Sequence, residues 1–235
     1  MQSLLRKPLL TLSIALLLVA LAFTAVKSVN TQSATKERSK EVDGVVAAVR
    51  RGGLREAARL KGHYVSTHST TGWMKYDLES LTQNSSDVII GTPIVSSSNL
   101  VGSGDGIVTE YKIRIDETLK GKLNTKRLVS LEVPGGKVTF EDGTSAEIQT
   151  PDLGPIEEHQ SYLMFLRPRD NSPEVFGLTG GGQGLFELST SESVVKPRGD
   201  KTDIVQKHNN QRISDFLEDV KTAIRKYPET TYCCN

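Results

Sequence analysis

Cysteine is nearly absent: the 235 residues include only Cys233 and Cys234, adjacent to each other. A vicinal pair closes no long loop, so stability must come from packing, and the small disulfide-rich secreted scaffolds are excluded. The pair fits a strained ring, a bridge to another chain, reactive thiols or an incidental tail. Tyr232 stands where a prenylation signal would need its cysteine. A charge excess is also absent, since 29 basic residues face 28 acidic ones for a net charge of +1. Nucleic-acid binders need a concentrated surplus of Lys and Arg to neutralise phosphates, so no nucleic-acid partner is expected. Aromatic residues make up only 6% of the chain. Of those that could stack on bases, Tyr111 shares a strand face with Ile113 and Ile115, which assigns it to a core.

Catalytic and cofactor signatures are missing as well. There is no G-x-S-x-G elbow, and Ser103 between Gly102 and Gly104 lacks the strand-turn-helix context that such a nucleophile needs. The run from Gly180 through Gly181, Gly182 and Gln183 to Gly184 has neither phosphate-binding glycine spacing and opens no helix. It reads as a flexible connection into the strand GLFEL. His63 and His68 are five apart, off helical register, and Glu157, Glu158 and His159 are chain neighbours whose side chains diverge. A zinc site needs three or four converging ligands. No catalytic residue, metal ligand or cofactor is assigned.

Against these absences stands one long apolar run. Residues 9–26, LLTLSIALLLVALAFTAV, follow Arg6 and Lys7 without a charge. At roughly 18 residues the run is at the lower edge of what spans a bilayer and longer than a typical signal core. Ala20-Leu21-Ala22 fits the small-x-small pattern of signal peptidase sites, so cleavage is favoured over a retained single-pass anchor. The expectation is a secreted, periplasmic or extracellular protein, or one anchored with its domain outside the cytoplasm. Membrane contact is expected only through residues 9–26, if they are retained. Removing residues 1–28 leaves 26 basic and 28 acidic residues, a net charge of −2.

Behind the leader, residues 29–40 are polar without apolar rhythm and read as a linker. Residues 41–85 read as a helical extension. Its first part spaces Val42, Val45, Val46, Val49, Leu54, Ala57 and Ala58 helically around a break at Gly52-Gly53. Arg50, Arg51, Arg55, Arg59 and Lys61 read as a solvated face of that helix. A short helix is expected from Tyr76 to Leu81.

Residues 86–195 hold many short strands. From Gly106 to Asp116, Ile107, Thr109, Tyr111, Ile113 and Ile115 alternate with Val108, Glu110, Lys112, Arg114 and Asp116, the mark of a half-buried strand. Further strands are expected at 127–133, 137–140, 146–149, 161–167, 174–179 and 184–188, separated by Gly, Pro, Asn and Asp. Lys120-Gly121-Lys122 and Pro134-Gly135-Gly136 read as turns, with the lysines kept out of the core. In residues 196–235, Ile213, Phe216, Leu217, Val220, Ala223, Ile224 and Tyr227 mark an amphipathic helix, with Asn209 or Asn210 as its cap and Pro228 as its limit. The class expected is mainly β with flanking helices: an antiparallel barrel, an N-terminal signal or anchor helix and a C-terminal amphipathic helix.

The segments SDVIIGTPIV, IVTEYKIRIDETLKGK, VSLEVPGG, HQSYLMFLRP and VFGLTGGGQGLFEL, in that order, resemble the extracytoplasmic module of the tissue inhibitors of metalloproteinases and netrin-like domains, through bacterial secreted relatives. The resemblance covers about residues 86–190 and rests on Asp87-Val88-Ile89-Ile90, Leu119-Lys120-Gly121 and Tyr162-Leu163. It implies a five-stranded OB-type barrel. The inhibitors chelate the protease zinc through an N-terminal cysteine, and this chain has no cysteine before Cys233. Inhibition is therefore not carried over. The function expected is an exported, non-enzymatic binding or interaction module for an extracytoplasmic protein or glycan. Its contact loops are expected at 96–106, with Gly102, Ser103 and Asp105, and at 177–184, with Gly180, Gly181 and Gln183. The competing expectation is a cell-envelope hydrolase whose acid/base pair converges only in three dimensions. Asn84-Ser85-Ser86 is a glycosylation sequon, meaningful only in a eukaryotic secretory pathway.

Overall fold

The computed structural model describes residues 42–68, 74–169, 172–199 and 202–228. The apolar run 9–26, the linker 29–40 and the thiols of Cys233 and Cys234 lie outside these residues. Among the described residues no helix is long and apolar enough to cross a membrane. The chain divides into two compact units, Met1–Arg51 and Gly52–Asn235. In the first, residues 42–51 are helical. In the second, residues 52–61 are helical (42–61 together are α1), with Gly53 at φ 68° where the glycine pair interrupts the apolar rhythm.

The second unit is mainly β, in two sheets. The smaller orders three strands as β1 (His63–Thr67), β6 (Ser145–Gln149) and β5 (Gly136–Thr139). The larger runs β10 (Val194–Pro197), β9 (Leu185–Ser189), β7 (Tyr162–Arg169), β2 (Asp87–Val101), β3 (Gly106–Lys120), β4 (Leu128–Pro134) and β8 (Ser172–Leu178), with β7 also pairing β8. Strands β1 and β10 are additions to the expected set. Not every pairing is antiparallel: β4 runs parallel to β8 and β1 to β6. Each of these pairs joins strands far apart in sequence, which leaves enough chain for the crossover that a parallel pair requires.

Strand β3 has the alternation its sequence predicts. Ile107, Thr109, Ile113 and Ile115 are buried, and the charged residues point outward. It runs on to Lys120 rather than stopping at Asp116. Strand β2 continues to Val101, so the expected loop at 96–106 shrinks to a turn at 102–105. Three register shifts between Val88 and Val95 bend this long hairpin, one of them at Pro93, which has no amide to donate. Strand β7 reads YLMFL without alternation because both its faces are covered. Tyr162, Met164 and Leu166 join one core with Ile113, Ile115 and Leu131, while Leu163 and Phe165 join a second core under the helices.

The second core is closed by α2 (Leu78–Asn84) and α4 (Ile213–Lys226). Helix α2 begins later than expected because Asp77 caps it: the Ser80 amide donates to Asp77 Oδ1 at 2.7 Å and the Asp77 amide to Ser80 Oγ at 2.9 Å. The Ser80 hydroxyl, donating to Asp77 Oδ1 at 2.6 Å, and then the Ser80 amide hold the Asp77 carboxyl below its usual range. Helix α4 buries Phe216, Val220 and Ala223, the expected face, and Phe216 lies 4.8 Å from Phe186, centroid to centroid. Its expected caps do not act. Asn209 ends the short helix α3 (Asp203–His208), and Asn210 adopts φ 62° so that its amide donates to Val195 O. Arg212 precedes α4 without a side-chain cap, because the 210–212 backbone is engaged along β10.

A correction concerns Lys120. Sequence logic kept it out of the core, yet it is only 5% exposed, and its ammonium donates to Thr82 O at 2.6 Å and Ser85 O at 3.1 Å. The lysine serves carbonyls at the C-terminal end of α2, sharing Thr82 O with the Ser85 amide, a polar duty that rewards its burial. Desolvation pulls its pKa below the usual lysine range, and the Asp87 charge opposes that pull.

A third core joins Leu54 and Ala58 of α1 to Ile107, Phe140 and Ala146. At its rim the Arg55 guanidinium lies 4.6 Å from the Phe140 ring centre, and Arg59 Nε donates to Asp142 at 3.1 Å. The Thr144 hydroxyl and amide, and then Arg59, lower the Asp142 pKa from 3.8 to about 2. A depressed carboxylate stabilises the fold above its unfolded pKa and loses that contribution as pH falls through its folded one. Asp142→Asn is therefore expected to lessen the loss of stability between pH 3.8 and about 2, read as thermal midpoints of the two proteins across that window. Equal acid shifts in both would contradict it.

Candidate functional site

The expected contact loops separate into two kinds. Gly102, Ser103 and Asp105 are exposed on the β2–β3 turn, while Gly104 between them accepts a hydrogen bond from the Leu54 amide at 2.7 Å. The turn is a free edge fastened at one point. The glycine-rich segment is not the exposed, flexible connection its composition suggests. Gly181–Gly184 forms a tight helical turn, Gly180 and Gln183 are buried and Gly181 is half-buried. Gln183 accepts from the Tyr76 amide at 3.0 Å and donates to Met74 O at 3.1 Å, fastening the backbone that leads into α2. The glycines are small because backbone packs against them, which composition alone cannot tell from flexibility. Gln183→Ala is expected to destabilise by about 1–3 kcal/mol, since the Tyr76 amide loses its partner. Faster tryptic cleavage after Lys75 would register the loss; unchanged cleavage would count against it.

A concavity of about 570 Å³ opens beyond the filled interior of the large sheet. The inward row of β3 continues into it as Tyr111 and Thr109, opposite Val133 and Pro134 of β4, Ile148 of β6 and Leu153 of the connection after β6. That connection, residues 150–157, is held by two tyrosines, Tyr162 fully buried and Tyr111 partly so. Tyr162 Oη accepts from the Glu157 amide at 3.0 Å, and Tyr111 meets the Ile156 backbone. Burial raises the pKa of both hydroxyls. Thr109 Oγ1 donates to Gly135 O at 2.7 Å, so this hydroxyl of the wall is satisfied internally. Lys137, Glu147 and Gln149 form the rim. A second concavity of about 360 Å³ lies on the other side of the same connection and shares Val133, Pro134, Thr150 and Leu153 with the first.

One serine, histidine and glutamate do meet. His63 Nδ1 and Ser145 Oγ share a hydrogen bond of 2.7 Å, and His63 Nε2 lies 3.8 Å from Glu147. They stand on the open face of the small sheet, because the β1–β6 register sets His63 beside Ser145 and Val65 beside Glu147. The histidine side chain is 45% exposed. With the ring this open to solvent we read the row as surface hydrogen bonding, although its Glu147 also stands on the rim of the concavity. In the Glu157-Glu158-His159 stretch, the Glu158 carboxylate accepts from Ser96 Oγ at 2.9 Å and the His159 amide donates to Pro93 O at 2.8 Å. Among the described residues no three His, Cys, Asp or Glu side chains converge as metal ligands.

Of the expected contact residues, Gly181 lines the smaller concavity; Thr109, Tyr111 and Pro134-Gly135-Gly136, expected as a strand face and a turn, line the larger one. The apolar Thr150-Pro151-Asp152-Leu153-Gly154-Pro155 stretch carried a weak signal: two prolines around a leucine, which suit a stiff strap with one buried knob. Compared with known proteins, the chain matches no family model and no curated protein sequence.

Proposed function

We propose that this chain is an exported, non-enzymatic binding module built on an OB-type barrel, which contacts an extracytoplasmic protein or glycan through the groove at the barrel mouth. The circuit of pairings supports the barrel: β7 to β2, β3, β4, β8 and back to β7, with the single parallel step between β4 and β8. The interior is filled with side chains, so a ligand is met at the end or outside of the cylinder.

The observation that carries the reading is the mouth groove itself. Val133, Pro134, Ile148 and Leu153 give it an apolar wall, and the Thr109 hydroxyl there is already satisfied, so it offers shape and apolar area to a partner. Export rests on the apolar run 9–26, with membrane contact only there. Photo-crosslinking from position 137 on the groove rim, in the cells that make the protein, tests the function. A partner captured from 137 and not from position 218, on the exposed face of α4, is expected. Equal capture at both positions, or none at 137, overturns it.

A further inference from the structure

Strands β4 and β8 are hydrogen-bonded neighbours at only two register pairs, Ser130 with Val175 and Leu131 with Phe176. Both strands continue, β4 to Pro134 and β8 to Leu178, but they no longer pair. Their separation opens a slot in the wall of the large sheet, and this slot is the cavity of about 360 Å³. Leu153 enters it from the strap, and Val133 and Leu178 form its apolar depth. At its outer lip stand Arg167 and Arg169 of β7.

The two arginines differ. Arg169 donates to Glu132 O at 3.5 Å and lies 3.9 Å from the Glu132 carboxylate, so its charge is compensated. Arg167 is exposed on the lip and makes no ion pair among the described residues. A guanidinium is a planar fork that takes a carboxylate or a phosphate. Beside the compensated Arg169–Glu132 pair, a single exposed cation matches a single negative charge.

The geometry points to this slot as a binding site for an aliphatic carboxylate, its chain laid against Val133, Leu153 and Leu178 and its head paired with Arg167. The volume is at the small end of ligand pockets, which suits a medium-length chain rather than a long one. The site is distinct from the mouth groove, although Leu153 separates the two. Arg167 lies on the slot's lip and does not line the groove, so the two readings fail separately.

The test is titration of the full chain with decanoate and with decanol, both below their aggregation limits, followed by calorimetry and amide chemical shifts. Saturable decanoate binding at one site is expected, with shifts at Val133 and Leu178. Arg167→Gln is expected to weaken decanoate about 10-fold, the loss of one charge-assisted pair, and to leave decanol unchanged. Leu153→Trp fills the slot and should weaken both. Absence of decanoate binding overturns the proposal, as does equal affinity of the wild type and Arg167→Gln for decanoate. Arg167 is exposed, so its variant folds and the outcome does not depend on the Leu153 variant.

Discussion

Phe216→Ala is expected to lower the unfolding free energy by about 3–5 kcal/mol, the range for removing a buried aromatic side chain. Phe216 is fully buried in the first turn of α4, where it meets Phe186 and the His208 ring, at 5.2 Å from the latter. Phe186 in turn meets Phe165 edge-on at 5.9 Å, so the three rings join α4 through β9 to β7. Truncation leaves a cavity that neither strand can close, because both are locked in register with their neighbours. Urea unfolding of the full chain measures the change. Phe216→Leu, which keeps most of the volume, should recover more than half of it. A loss below about 1 kcal/mol would mean that α4 is not anchored on this face.

Gly121→Ala has the second largest expected effect, about 2–4 kcal/mol, from two separate causes. Gly121 adopts φ 98°, which L side chains rarely take, and an added Cβ would lie 2.1 Å from Asp87 Oδ1. That carboxylate oxygen accepts the Lys122 amide at 3.0 Å, so relieving the clash breaks a hydrogen bond beside buried Lys120. Gly143→Ala isolates the conformational part: φ there is 80°, but the space around it is open. The difference between the two variants in urea unfolding measures the contact with Asp87. Equal losses would show that backbone strain alone decides both.

Where the pattern was local, it was readable. The period of two along β3 and the spacing of three and four along α4 both name the buried face, because geometry repeats within each element. The unbroken apolar run of β7 signals two covered faces. The edges of elements were less legible: Asn210 has the chemistry of a cap, but tertiary pairing with β10 uses its backbone first. Lys120 and Gln183 misled in the same way. A long polar side chain reads as exposed unless the carbonyls and amides it will serve are known, and those come from residues 35 or more positions away.

For β3 and α4 the sequence by itself determined the class of element and the side that is buried, since these follow from short-range periodicity, whereas β1, β10 and the turn at 181–184 carried no such signal. Only the tertiary structure decided which strands pair. The parallel contact of β4 with β8, its early end, the slot behind it and the strap that enters it all depend on groups brought together from distant parts of the chain. Backbone pairing is chemically the same for every strand, so no single segment encodes its neighbour. The packing of all of them at once selects it.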